Sequence, residues 1–281
     1  MQIKITRILQ EWSPGANSIK SGIFFWIILL TIVCCFNPLT IQAAEHERLS
    51  AMKPFSDEKI AIQNFEKNPT PANRKALANI RARHAVRLSE LAKKKADMDP
   101  YYLALLYAQS ATDLVPDNSD YWFLLGHLYW QMKGNRWSLL MAEDALNKAV
   151  TLNPKDDKAR LLLGQILFYQ DSFAAALEQF ETVVTRNVKT AVPEVINMMY
   201  RAYILDYLPI QGIKFFQNLL TSKPDADCAR LALAILLHQQ EKQSVAEKEL
   251  KKIINRPDVP PEDRDRALKL INQWQGKEET R

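Results

Sequence analysis

The sequence predicts an all-α protein: a right-handed superhelix of about five helix-turn-helix units with capping helices, preceded by one N-terminal apolar helix. Three observations predict it. Glycine is scarce, seven residues in 281, against roughly twenty at the usual ~7%, which disfavours Gly-rich phosphate loops and barrel corners. One slot recurs at Ala92, Gly126, Gly164, Tyr200 and Ala234, with spacings of 34, 38, 36 and 34 residues. Pro116, Pro154 and Pro224 mark a second slot with the same period, filled in the third unit by Asn187-Val188. Proline there ends a helix, because it has no N–H to donate.

The N-terminus reads as an export signal. Residues 22–36, GIFFWIILLTIVCCF, carry no charge, follow basic residues and precede Asn37-Pro38. Ala43 and Ala44 supply a small-residue exit. Extended through Ile41, the run is about twenty residues long, enough to span a bilayer. Residues 1–44 are therefore a cleaved signal peptide or a retained signal anchor with its apolar core at 22–41, and both readings stay open. Either puts the C-terminus outside the cytoplasm, in the periplasm, because the basic flank stays inside. Cys34 and Cys35 are adjacent within this run and Cys228 stands alone, so no disulfide scaffold exists.

Residues 45–56 read as a tether. Two short helical patterns over 57–80, broken at Asn68-Pro69-Thr70-Pro71, complete an N-terminal capping region at 45–84. The repeat array is expected over 85–258. Its first unit holds Leu88, Leu91, Ala92, Tyr101, Ala104 and Ala108. The second reads Trp122-Phe-Leu-Leu125-Gly126-His-Leu-Tyr129, then Ala142, Leu146, Ala149 and Pro154. The third has Leu163-Gly164, Phe173, Ala176, Phe180 and Val183; the fourth has Tyr200 and Pro209; the fifth has Ala234 and Ala246. Residues 259–281 hold a final amphipathic helix with Pro261 and acids at its start, and Ala267, Leu270, Ile271 and Trp274 on one face.

This pattern resembles the tetratricopeptide repeat (TPR). In that motif small residues at positions 8 and 20 sit where two helices touch, as Gly126, Gly164, Ala142 and Ala176 would here. Trp122, Leu125, Tyr129, Ala149, Pro154 and Phe180 would fill the remaining packing positions. No unit buries its apolar face alone, so the units must stack. Residues 121–180 further resemble the TPR segment of c-type cytochrome biogenesis proteins of the CycH and NrfG type. The shared feature is a lengthening of about four residues around Gly134-Asn135-Arg136-Trp137, followed by a regular unit.

The function classes narrow accordingly. About 50 folded residues lie outside the repeats, too few for a catalytic domain. There is no nucleophile elbow, P-loop or dinucleotide fingerprint, and no CxxCH. His46, His84, His127 and His238 have no metal-ligand spacing, so no metal or cofactor is expected. The net charge of +5 is partly N-terminal, which argues against a nucleic-acid partner.

The TPR resemblance implies a ligand face on the first helices. Its residues would be Phe123, His127, Trp130, Leu161, Gln165, Phe168, Asn197, Arg201, Ile204 and Leu231. The Lys, Asn and Arg clamp by which some TPR proteins hold acidic chaperone tails is absent. A trough of aromatic side chains suits the apolar face of an amphipathic helix. The expected function is thus a non-enzymatic protein-interaction module, an adaptor holding an apocytochrome or a haem-ligation subunit. The alternative is a generic scaffold for envelope assembly. If residues 22–41 are not removed, the membrane is a further partner.

Overall fold

The computed structural model describes residues 55–95, 98–132 and 136–276. The expected signal or anchor helix at 22–41 and most of the tether lie outside these residues. The described residues hold twelve α-helices and no strand, and none of these helices is long and apolar enough to cross a membrane. In chain order they are α1 (Ser56–Lys67), α2 (Pro71–Lys95), α3 (Asp99–Leu114), α4 (Ser119–Gln131), α5 (Arg136–Leu152) and α6 (Asp157–Tyr169). Then come α7 (Phe173–Arg186), α8 (Pro193–Leu205), α9 (Pro209–Ser222), α10 (Asp227–Gln239), α11 (Gln243–Ile254) and α12 (Pro261–Trp274). A single 3-10 turn, Val188–Thr190, joins α7 to α8.

The unit from Ser56 onward is compact. Helices α2 to α11 form five hairpins, each packed against the next, and α12 covers the last. Close helix contact is made possible by missing side chains. A Cβ on Gly126 would meet Leu146 Cγ at 2.7 Å and the Ala142 carbonyl oxygen at 3.1 Å; one on Gly164 would meet Phe180 Cε1 at 2.6 Å. Gly212 is pressed in the same way between Tyr203 and Leu236. Ala142, Ala149, Ala176, Leu125, Tyr129 and Phe180 are buried at these contacts. Pro154 is exposed at the turn, and Trp122 is half-buried under Lys148, whose Nζ lies 4.1 Å from the ring centroid.

At the N-terminal end the expected boundary falls inside a helix. The second short capping pattern and the first helix of the first unit are one helix, α2, which runs 25 residues straight across the expected boundary at 84/85. The only helix breakers nearby are Pro69 and Pro71. Pro71 occupies the first turn, where a missing N–H costs nothing, and no proline or glycine follows until the helix has ended. Helix α1 lies antiparallel along α2. It is held by a polar network rather than an apolar stripe: Glu58, 2% exposed, accepts from Arg81 Nε (3.0 Å) and Tyr107 Oη (2.7 Å). Asp57 pairs with His84 at 2.9 Å. Burial works to raise the Asp57 carboxyl, but the His84 hydrogen bond and charge outweigh it and hold it below the usual range.

The two edges of the hairpin stack are built differently. Where the chain passes between hairpins, Asn118 and Asp156 cap α4 and α6 by accepting from backbone N–H groups. There the turn prolines offer their carbonyls to side chains six residues on: Pro116 to Trp122 (2.8 Å), Pro154 to Arg160 (3.2 Å) and Pro224 to Arg230. Within hairpins, three turns share another geometry. Asp171, Tyr207 and Glu241 sit in the left-handed region, at φ 60°, 57° and 58°. The next N–H closes each helix end: Ser172 onto Leu167 (2.9 Å), Leu208 onto Tyr203 (2.8 Å) and Lys242 onto Leu237 (3.0 Å).

Candidate functional site

The expected ligand face lies on α4, α6, α8 and α10, and the structure divides it. Phe123, His127, Trp130, Leu161 and Gln165 are half-buried on α4 and α6, with side chains partly open to solvent. The Phe123 and His127 rings stack at 6.0 Å, 5° from parallel. This follows from their spacing of four residues, one helical turn. Gln131, a further turn on, points its amide nitrogen at the His127 ring, 2.9 Å from Nε2. Burial, and then the charge of Lys93, push His127 below the ordinary histidine value, so the imidazole is neutral at pH 7.

Two expected ligand residues are core. Phe168 is 7% exposed and Leu231 2%. Phe168 is closed in by Phe173 at 5.5 Å on the next helix and by the Arg201 guanidinium 5.3 Å over its ring. It belongs to the packing of α6 on α7, and the surface a ligand meets there is Arg201, not Phe168. Leu231 is enclosed within the α8–α12 packing for the same reason: a first helix in a stack has neighbours on both sides.

On α8, Arg201 is exposed and Ile204 half-buried. Asn197 is already engaged, since its side-chain oxygen accepts from Arg266 of α12 at 3.2 Å. Trp274 of α12 stacks on His238 at 4.1 Å. The capping helix thus occupies the far part of the face, and the open part is the α4–α6 half.

Sequence reasoning missed one residue of that half. Tyr169, the last residue of α6, is 61% exposed and its ring meets Trp130 of α4 at 5.3 Å. It lies one position beyond those the TPR pattern assigns to the ligand face. Together, Phe123, His127, Trp130 and Tyr169 make an aromatic ledge across two hairpins. Among the described residues no group of three or more His, Cys, Asp or Glu side chains could hold a metal ion.

Residues 142–192 match a family model described as tetratricopeptide repeat. No curated protein matches the chain. Among solved structures, YrrB, described as a TPR protein with an unusual peptide-binding site, superposes with a TM-score of 0.50. It is 17% identical, over 74% of this chain and 97% of its own. MamA from Desulfovibrio magneticus RS-1 is also 17% identical, over 61% of this chain and 92% of its own, with a TM-score of 0.46. The repeat match and the superposition with YrrB make the fold a TPR array.

Proposed function

We propose that the chain is a non-enzymatic adaptor, working outside the cytoplasm, whose α4–α6 face holds the apolar side of an amphipathic helix. The observation that carries this reading is the aromatic ledge of Phe123, His127, Trp130 and Tyr169: open side chains and a neutral imidazole, with Lys93 and Arg201 beside them. Such a surface gains more from apolar contact than from ion pairing. YrrB, of the same fold, is described as having a peptide-binding site, which supports a peptide as the ligand class. The apolar run at 22–41, with its basic flank and Ala43-Ala44, supports export. The likeness of residues 121–180 to cytochrome biogenesis proteins supports an apocytochrome or a haem-ligation subunit as the source of the helix.

Calorimetric titration of the full chain in nanodiscs with the C-terminal helix of an apocytochrome c tests this. Binding is expected to change little with moderate salt, and Trp130→Ala is expected to weaken it about tenfold. Unchanged affinity in Trp130→Ala would remove the ledge as the site. Equal binding of an unrelated amphipathic helix would leave the peptide-holding role and remove the cytochrome assignment.

A further inference from the structure

The ledge proposed to hold a peptide is bracketed by cations. The residue after each recurring slot of the repeat falls at a corresponding place on successive first helices: Lys93 on α2, His127 on α4, Gln165 on α6, Arg201 on α8 and Ile235 on α10. This row holds two cations and no acid. The rows beside it, Phe123, Leu161 and Asn197 on one side and Trp130, Phe168 and Ile204 on the other, hold no acid either. The acids of α4 and α8 are Asp120 and Glu194, in the first turns. Each lies two turns, about 10 Å, before His127 or Arg201.

Lys93 and Arg201 are both exposed, and among the described residues neither pairs with a carboxylate. The arginines at the open ends of hairpins behave otherwise: Arg186, Arg230 and Arg256 each hold one. Arg201 instead rests 5.3 Å over the Phe168 ring, which places the guanidinium without using up its N–H donors. Burial, and then the charge of Lys93, keep His127 neutral, so the two cations are not joined by a third.

We propose, on the footing of that peptide-holding role, that the helix held on the ledge carries carboxylates on either side of its apolar contact, which meet Lys93 and Arg201, and that these two residues set the choice of partner. Apolar contact supplies the bulk of the affinity. The cations discriminate, since charges at the rim of an interface act on partner choice more than on binding strength. A helix with lysines in those places sets like charge against Lys93 and Arg201 and is rejected.

Calorimetric titration of the full chain in phosphatidylcholine nanodiscs with three peptides tests this, with empty nanodiscs as the blank. The peptides share one leucine-rich apolar stripe, and their polar positions are glutamate, glutamine or lysine. Both termini are capped, so any preference reports side chains alone. The glutamate peptide is expected to bind about tenfold tighter than the lysine peptide, with the difference shrinking at about 1 M salt. Lys93→Gln alone should cut the preference about threefold. Lys93→Gln with Arg201→Gln, at an unchanged melting temperature, should remove it, and Arg201→Lys should keep it. Equal binding of the glutamate and lysine peptides, both weakened by Trp130→Ala, overturns the proposal and leaves the peptide-holding ledge standing. A glutamate preference that survives the double variant also overturns it, because the selecting cation then lies elsewhere. Binding of none of the three removes the ledge as a peptide site, and the charge selection with it.

Discussion

Along one edge of the array the chain crosses between hairpins through Pro116, Pro154 and Pro224; along the other it turns within hairpins through Asp171, Tyr207 and Glu241. The first edge is saturated with bonds. Carbonyls are taken by Trp122, Arg160 and Arg230, helix starts are capped by Asn118 and Asp156, and Arg186 and Arg256 reach back to Asp157 and Asp227. The second holds three non-glycine residues in left-handed backbone and shows Tyr169, Tyr207 and Ile210 to solvent. One edge ties the open end of each hairpin to itself and to the turn that leads into it. The other keeps backbone strain at non-glycine residues.

Four measurements sharpen or break that contrast. The largest effect is expected between neighbours on α6. Phe168→Glu buries a carboxylate among aromatic rings and should cost at least about 4 kcal/mol. Tyr169→Glu, on the exposed side, should stay within about 0.5 kcal/mol. Equal losses in chemical denaturation would mean that Tyr169 is core as well.

Next come the locks. Arg230 reaches Glu249 at 2.8 Å, with both side chains largely buried, and Arg230→Ala should cost about 2 kcal/mol by stranding the carboxylate, an effect softened by Lys252. The corresponding Arg160 reaches the neutral Gln179 at 2.8 Å. Its removal should cost about 1 kcal/mol. Indistinguishable midpoints for the two variants would deny the ion pair its share.

Glycine should act with opposite sign to capping loss. Asp171→Gly, Tyr207→Gly and Glu241→Gly relieve left-handed strain and should each stabilise by about 1 kcal/mol. Asp156→Ala removes a cap and should destabilise by about 1 kcal/mol. A fall in melting temperature for the glycine variants would show that those side chains hold the turns.

The smallest effect is in pH. His127 in the fold titrates below its unfolded value, so its neutral form is favoured. Its contribution is complete above the unfolded pKa and is lost as pH falls through that value toward the folded one. The wild type should therefore lose more stability than His127→Gln between about pH 7 and pH 5. Parallel curves would mean that His127 is solvated in the fold.

The repeat was legible because its requirements are steric and local. Gly126 and Gly164 stand where a Cβ would strike Leu146 and Phe180, so few residues can replace them and they stand out in the sequence. The ligand face was only half legible. A rule based on position within one helix cannot tell that Phe168 is roofed by Phe173 and Arg201, or that Asn197 is held by Arg266, sixty-nine residues away. Tyr169 escaped because it lies at the helix end, outside the repeating pattern, where its exposure depends on the neighbouring hairpin. The 84/85 boundary falls inside α2, because a repeat period marks where a motif begins and not where a helix does, and no proline or glycine interrupts the helix after Pro71.

The bonds at the open ends of the third and fifth hairpins correspond across seventy residues. Pro154 and Pro224, Asp157 and Asp227, Arg160 and Arg230, Gln179 and Glu249, and Arg186 and Arg256 are each seventy residues apart and make corresponding contacts. The joint entering the third hairpin is therefore interchangeable with the joint entering the fifth. A chain spliced from Asp156 directly to Asp227 keeps Arg230 six residues after a proline carbonyl, with Asp227 still facing Arg256. In genetic terms the stretch 157–226, two hairpins long, is a module whose two junctions match. Such an array can lose or gain a module in one event and change its reach without inventing a new junction.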